Sequence, residues 1–251
     1  MANQTPGHFI TTRWTVVLSC ADSEVGSVVA HDALSELCKT YWRPIFIYIC
    51  RRGYSSQDAE DLTQDFFANL LQGPLLQRAD PGRGRFRSLL LKALQDFLGH
   101  AAEKLHARKR GGGVKFVSWD DWMAEAPSQL SISPQALNSW SAEQLYDLRW
   151  AATVVEQALR RLREECQSKS RLRLFETLSL YLATDRADVS YQNLATMLGI
   201  AESAVKKQLH NLRRRYRWLL YDEVAQTVQT PDDVEAEIRH LCATLAGAEA
   251  A

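Results

Sequence analysis

VSYQNLATMLGIAESAVKKQLHNLRRR, residues 189–215, decides the reading of this chain. Ser190 is a good N-cap for a short helix from Tyr191 to Leu198, and Gly199 supplies the left-handed residue that ends it. Glu202 and Ser203 open a second helix in which Val205, Leu209, Leu212, Tyr216 and Leu219 recur at helical spacing as one apolar stripe. At ~100° per residue from Val205, Lys206, His210, Arg213 and Arg217 fall at about 80–140°, and Lys207, Asn211 and Arg214 at about 180–240°. The outward half is therefore basic, with Asn and His hydrogen-bonding groups interleaved. A helix, a glycine turn and a second helix with a basic outer face can lay that second helix in the major groove of DNA. The competing reading is a solvated surface helix. Such a helix usually mixes in glutamate for i,i+4 pairing, and no glutamate lies between Glu202 and Glu223. On the DNA reading, phosphate contacts supply most of the affinity. Base choice then falls to Lys206, Lys207, Gln208, His210 and Asn211.

Outward from this segment, nearly every periodic stretch repeats at three to four residues, which predicts an all-α fold. Helices are expected over 26–52, 56–72, 86–109, 143–167, 170–183, 191–198, 202–220 and 232–246. The stretch 111–142 breaks the pattern. It opens with Gly111, Gly112 and Gly113, carries Pro127 and Pro134, and also holds Phe116, Trp119, Trp122 and Met123. It reads as a linker that docks somewhere, because it is too apolar for a solvated tether. The expected organisation is an N-terminal segment over 1–25, a helical domain over 26–110, the linker, a second helical domain over 143–220, and a C-terminal extension over 221–251.

The 251 residues are 46% apolar and carry 30 basic and 30 acidic side chains, for a formal net charge of zero. That balance says little about partners, but the distribution says more. Lys104, Arg108, Lys109, Arg110 and Lys115 form one basic cluster, and Lys206, Lys207, Arg213, Arg214, Arg215 and Arg217 a second. Acid gathers at 58–65, at 120–125 and in the tail after Tyr221. Segregated charge suits separate faces for separate partners. Cys20, Cys38, Cys50, Cys166 and Cys242 lie far apart with no C-x-x-C pair, which points to reduced, buried thiols rather than a disulfide scaffold or zinc ribbon. The histidines are equally scattered, so neither a metal site nor a cofactor is expected. With no apolar stretch of membrane-spanning length and no signal segment, a cytoplasmic protein is expected.

A second strong segment is DAEDLTQDFFANLL at 58–71. On a helix, Ala59, Leu62, Phe66 and Leu70 face a core, while Asp58, Asp61 and Asp65 form an acidic stripe with Gln64 and Glu60 further round. Aligned carboxylates raise the question of a metal-dependent nuclease. Such a site needs ligands converging from several elements, and one helix face points them all outward. The helix dipole accounts for Asp58 and for Asp61 at the margin, but not for Asp65. A docking face for a basic partner suits the whole stripe better. Next comes RADPGRGRFR at 78–87, a Gly/Pro-punctuated loop rich in arginine. It leads into a helix that turns Phe86, Leu90, Leu94 and Phe97 inward and Ser88, Lys92, Gln95 and Asp96 outward. Arginines beside an aromatic suit single-stranded nucleic acid, and an ordinary basic loop explains them as well.

Taken together these segments resemble the extracytoplasmic-function (ECF) sigma factors, the small two-domain members of the bacterial sigma-70 family. The run at 58–67 resembles the region that docks on the coiled coil of the largest RNA polymerase subunit. The loop and helix over 78–109 resemble the regions that melt the promoter −10 element and hold a flipped-out base, and 189–215 resembles the region that reads the −35 element. The chain has no room for a middle domain, an omission that marks the ECF group. The likeness covers 30–110 and 143–220. It departs from the family pattern at Lys206 and Lys207, in the long aromatic linker, and in the tail helix with Val234, Ile238, Leu241 and Leu245 on one face.

The resemblance implies a non-enzymatic promoter-specificity subunit whose partners are core RNA polymerase and promoter DNA, with an anti-sigma factor or a regulatory kinase as a further partner class. Asp58, Glu60, Asp61, Gln64, Asp65 and Phe66 would dock on polymerase. Arg83, Arg85, Phe86, Arg87, Lys92 and Gln95 would lie against melted −10 DNA. Ser203, Lys206, Lys207, Gln208, His210, Asn211, Arg213 and Arg214 would read the −35 duplex. The tail helix and the Trp119–Met123 patch are candidates for covering a DNA or polymerase face in the free protein. The rivals are a stand-alone helix-turn-helix regulator, which leaves the acidic stripe unexplained, and a nucleic-acid enzyme built on the carboxylates at 58–65.

Overall fold

Amphipathic periodicity of about 3.6 residues dominates the chain, and the computed structural model follows it. It describes residues 27–72, 85–108, 139–228 and 231–249, and among these the regular structure is all helical. The helices are α1 (Ser27–Arg51), α2 (Ser56–Gln72), α3 (Phe86–Arg108), α4 (Ala142–Ser168), α5 (Leu172–Leu178), α6 (Tyr191–Leu198), α7 (Glu202–Ala225) and α8 (Pro231–Glu249), with a 3-10 turn at Ser179–Tyr181. The marked differences in extent are at 170–183, where α5 is short and passes into that 3-10 turn, and at the end of α7, which runs to Ala225 where 220 was expected. Among the described residues no helix is long and apolar enough to cross a membrane.

Local chemistry fixes the helix starts. The Ser55 hydroxyl accepts from the Asp58 backbone N–H at 3.2 Å and donates to the Asp58 carboxylate at 2.6 Å, which opens α2. Ser141 and Gln144 form the reciprocal pair at the start of α4. The Gln144 N–H donates to the Ser141 hydroxyl, and the Ser141 N–H donates to the Gln144 side-chain carbonyl at 2.8 Å. Ser190 stands at the N-cap of α6, but its side chain makes no capping bond.

The chain forms two compact units, one over 1–152 and 224–251, the other over 153–223. This division differs from the one expected. The first turns of α4 and all of α8 belong with the first unit, because their inward faces are needed to complete its core. In that core Tyr41, Ile45, Tyr48 and Ile49 of α1 are buried, with Ala59, Phe66 and Leu70 of α2, Phe86, Leu90 and Leu94 of α3, and Tyr146 and Trp150 of α4. Val234 and Leu241 of α8 are buried as well. Aromatic edges knit the elements: Tyr41 meets Phe86 at 5.4 Å between ring centroids, and Phe66 meets Phe97 at 5.7 Å. Trp42 stacks on Phe67 at 5.9 Å.

In the second unit one cluster joins Ala158, Leu162 and Cys166 of α4, Phe175 and Leu178 of α5, Val189, Leu194 of α6, and Val205, Leu209, Leu212 and Leu219 of α7. Tyr216 packs against it, partly buried. Two arginines pin this unit from α4 and α7. Arg161 reaches Asp222 at 2.7 Å and Glu223 at 2.5 Å, and Arg215 grips Glu165 with two bonds of 2.5 and 2.8 Å. Among the described residues no cysteine forms a disulfide, and Cys242 is exposed, unlike the buried Cys50 and Cys166. It lies on the outer side of α8, one residue beyond the buried Leu241. Burial pushes the Cys38 thiol up to about 11.

Candidate nucleic-acid interface

The second unit builds its candidate surface on α6, Gly199 and α7. Gly199 adopts φ 67° and ψ 32°, the left-handed conformation expected of it. The Ile200 N–H returns to the Ala195 carbonyl at 3.2 Å and closes the turn. The buried stripe Val205, Leu209, Leu212 and Leu219 then fixes the rotation of α7. Ser203, Lys206, Lys207, His210, Arg214 and Arg217 are left exposed.

Within the basic set the side chains have different duties. Lys206 is held by Glu202 at 2.6 Å, one helical turn earlier, and its ammonium lies 5.1 Å from the Tyr191 ring centre. The Glu202 hydrogen bond keeps that ammonium above the usual lysine range. Arg213 is half-buried and donates to the Tyr181 carbonyl at 2.8 Å and the Thr184 carbonyl at 2.6 Å. It caps the end of the 3-10 turn, a structural duty that the sequence reading did not foresee. Lys206, His210 and Arg213 share a surface cavity of ≈ 330 Å³ with Arg186 and Tyr191. Gln208 and Asn211 are half-buried on the opposite flank, in a groove with Glu165, Lys169 and Arg171. They sit beside the apolar stripe rather than on the outermost face.

Further along α7, Trp218 and Tyr221 are 49% and 40% exposed, and the Arg215 guanidinium stacks over the Trp218 ring at 4.1 Å. The sequence reading did not single out this pair, although both residues fall off the stripe that ends at Leu219.

In the first unit the acidic stripe stands out from α2 as expected. Asp58, Glu60, Asp61, Gln64 and Asp65 are all exposed. Asp58 is also tied to Ser55 in the helix cap. Phe66 is a correction. It is buried against Phe67 and Phe97 and presents no surface to a partner. Among the described residues no three His, Cys, Asp or Glu side chains are placed to hold a metal ion.

The −10 set divides. Arg83 lies outside the described residues, as do the Trp119–Met123 patch and Lys109, Arg110 and Lys115 of the first basic cluster. Lys92 is exposed and pairs with Asp96 at 2.9 Å across one turn. Gln95 lines an open cavity of ≈ 430 Å³ with Tyr48, Arg52, Tyr54 and Glu143. The Tyr48 hydroxyl donates to Glu143 there at 3.2 Å. The hydrogen bond from its own backbone N–H, in the first turn of α4, holds the Glu143 carboxyl below the usual range.

Phe86 and Arg87 are corrections: both are buried. Arg87 Nε donates to Glu237 Oε1 at 2.8 Å, another of its nitrogens pairs with Asp147, and its guanidinium lies 5.0 Å over the Trp150 ring. Burial works against that charge, but the bonds and charges of Glu237 and Asp147 outweigh it and hold the guanidinium above its ordinary range. Arg85 Nη1 lies 2.9 Å from Glu237 Oε2. The sequence reading missed this ion cluster on α3, α4 and α8. In comparisons with protein families, curated proteins and solved structures, nothing matches this chain.

Proposed function

We propose that this chain is a promoter-specificity subunit of RNA polymerase of the ECF sigma type. The observation that carries the reading is the α6–Gly199–α7 pair, with its apolar stripe buried and Lys206, Lys207, His210, Arg214 and Arg217 turned outward. Such a face supplies phosphate neutralisation and base-edge contacts from one helix. The exposed carboxylates of α2 add a second surface of opposite sign, suited to a basic protein partner rather than to DNA. A reader tethered through that surface can be weak alone, because docking raises its effective concentration. The subunit itself catalyses nothing. It favours the unpaired promoter strand over the duplex, and that preference offsets the cost of melting.

The burial of Phe86 and Arg87 favours a second reading, a stand-alone helix-turn-helix regulator that never touches melted DNA. One experiment separates the two. The protein is mixed with core RNA polymerase and a promoter library. A stable complex that initiates at defined sites is expected. Tight sequence-specific duplex binding by the protein alone, with no polymerase complex and no directed initiation, would establish the regulator instead.

A further inference from the structure

The outward face of α7 continues well past the residues that one major groove would receive. Beyond Lys207 the exposed residues of this helix are His210, Arg214, Arg217, Trp218 and Tyr221. At ~100° per residue from Val205 they fall within about 120–220°, a single strip of polar and basic side chains and amphipathic rings. At ~1.5 Å per residue, Trp218 stands about 16 Å along the axis from Lys207. The groove is about 12 Å wide and winds round the duplex. A groove that held Lys206, Lys207 and His210 would therefore leave Trp218 and Tyr221 outside it. Trp218 is also held in place. Glu165 of α4 grips the Arg215 guanidinium through two bonds of 2.5 and 2.8 Å, and that guanidinium lies 4.1 Å from the Trp218 ring centre. One face of the indole is taken by the guanidinium, and the residue is still 49% exposed. Tyr221 stands about one turn further on and is 40% exposed.

We propose that Trp218 and Tyr221 form a stacking platform for unpaired bases of a single-stranded nucleic acid, with Arg214 and Arg217 neutralising its phosphates. Aromatic rings beside arginines hold single strands with little regard to sequence, because every base offers a π-face. The strip favours a nucleic acid over a protein partner, since none of its five residues is aliphatic or acidic. The core of a protein–protein patch is more apolar than this strip, where arginines flank both rings. The Arg215 cation behind the indole keeps the ring oriented for stacking. This binding is separate from duplex reading by the start of α7, and it requires neither polymerase nor a promoter.

The test uses the full chain and fluorescent single strands of about 12 nucleotides, with binding followed by anisotropy. The probes are oligo-dT, oligo-U, an abasic strand of equal length and a blunt duplex. Trp218→Ala is expected to weaken binding of the dT or U strand about tenfold, the loss of one stacked base, while duplex binding stays as it is. Trp218→Phe is expected to keep most of the affinity. The abasic strand is expected to bind Trp218→Ala and the unmodified protein alike, because it has no ring to stack. Arg217→Ala should lower the single-strand salt slope by about 0.7, one phosphate contact. A loss on both strands fits a platform that meets only base faces, and a loss on one identifies DNA or RNA as the strand held. Should Trp218→Ala fail to fold, Tyr221→Ala carries the same test. Undiminished strand affinity in the folded variants would overturn the proposal, and so would an equal loss on the abasic strand, which would reduce the site to charge alone. Loss of core polymerase in a pull-down, with strand affinity intact, would assign the face to a protein instead.

Discussion

Replacing Gly199 isolates a single backbone effect in the helix-turn-helix. The residue is held at φ 67°, where a side chain's Cβ crowds the following carbonyl oxygen. A Cβ placed there meets nothing within 4 Å, so alanine brings no collision with a neighbour. The cost is then conformational, ~1–2 kcal/mol for an ordinary residue in this region. Alanine also restricts the unfolded chain, which returns about 0.4–1 kcal/mol. The net expectation for Gly199→Ala is a loss of about 1 kcal/mol. Asparagine visits the left-handed region readily, so Gly199→Asn loses less than Gly199→Ala.

Native-state hydrogen exchange of α6 and α7 amides reads the opening free energy of this unit inside the intact chain. In a unit of this size, 1 kcal/mol also corresponds to about 4–8 °C in melting temperature. An alanine variant as stable as the parent would show that the turn is not held in the left-handed conformation. A loss beyond about 3 kcal/mol would mean a collision that the open space excludes. Asparagine as costly as alanine would refute the backbone account altogether.

Charge reversal at Asp61 and Asp65, both exposed, is expected to leave stability within about 0.5 kcal/mol while weakening polymerase binding at least tenfold by pull-down titration; unchanged binding would remove the acidic face from the docking surface. Phe66→Ala should instead cost about 3–5 kcal/mol in urea unfolding, because the ring is buried. Lys207→Ala is expected to reduce the salt slope of duplex binding by about 0.9, one phosphate contact, with no change in unfolding. Arg213→Ala should lower the stability of the second unit first, since it strips the Tyr181 and Thr184 carbonyls of their donor. The Arg215 hydrogen bond holds the Glu165 carboxyl below its usual range. Its stabilisation is therefore present above the unfolded carboxylate value of about 4.3 and is lost as pH falls through the lower folded value. Glu165→Gln should flatten the acid limb of the second unit's stability curve between about pH 6 and 3, though only modestly, because the pair is 31% and 41% exposed.

Helix positions were legible in the sequence because each helix carries its own apolar stripe. Val205, Leu209, Leu212 and Leu219 announce both the element and its buried face. The capping pairs Ser55 with Asp58 and Ser141 with Gln144 were equally local, although neither was read. Long-range partners are another matter. Arg213 sits one turn after Leu209, on the margin of a stripe, and only the fold brings the Tyr181 and Thr184 carbonyls to it. The grouping of α8 with the first unit rests on contacts as far apart in sequence as Arg87 and Glu237, separated by 150 residues.

Part of that pairing was nevertheless written into the two helices. Arg87 precedes Leu90 and Leu94 by three and seven residues, which puts it on the inward face of α3 and not on an exposed loop. Glu237 follows Val234 by three residues and precedes Leu241 by four, which puts a carboxylate inside the apolar stripe of α8. A charge on an inward face cannot remain unpaired without several kcal/mol of desolvation cost. Two helices that each carry one inward charge of opposite sign are therefore candidates to pack with those charges together. The assignment of Arg85, Phe86 and Arg87 to DNA came from the family resemblance of the arginine-rich loop, whose glycines and arginines describe the chain before the helix begins. The helical phase of Arg87 relative to Leu90 and Leu94 describes where its guanidinium goes. Here the phase decides, and it seats the Arg87 guanidinium against Glu237 and Asp147 inside the first unit.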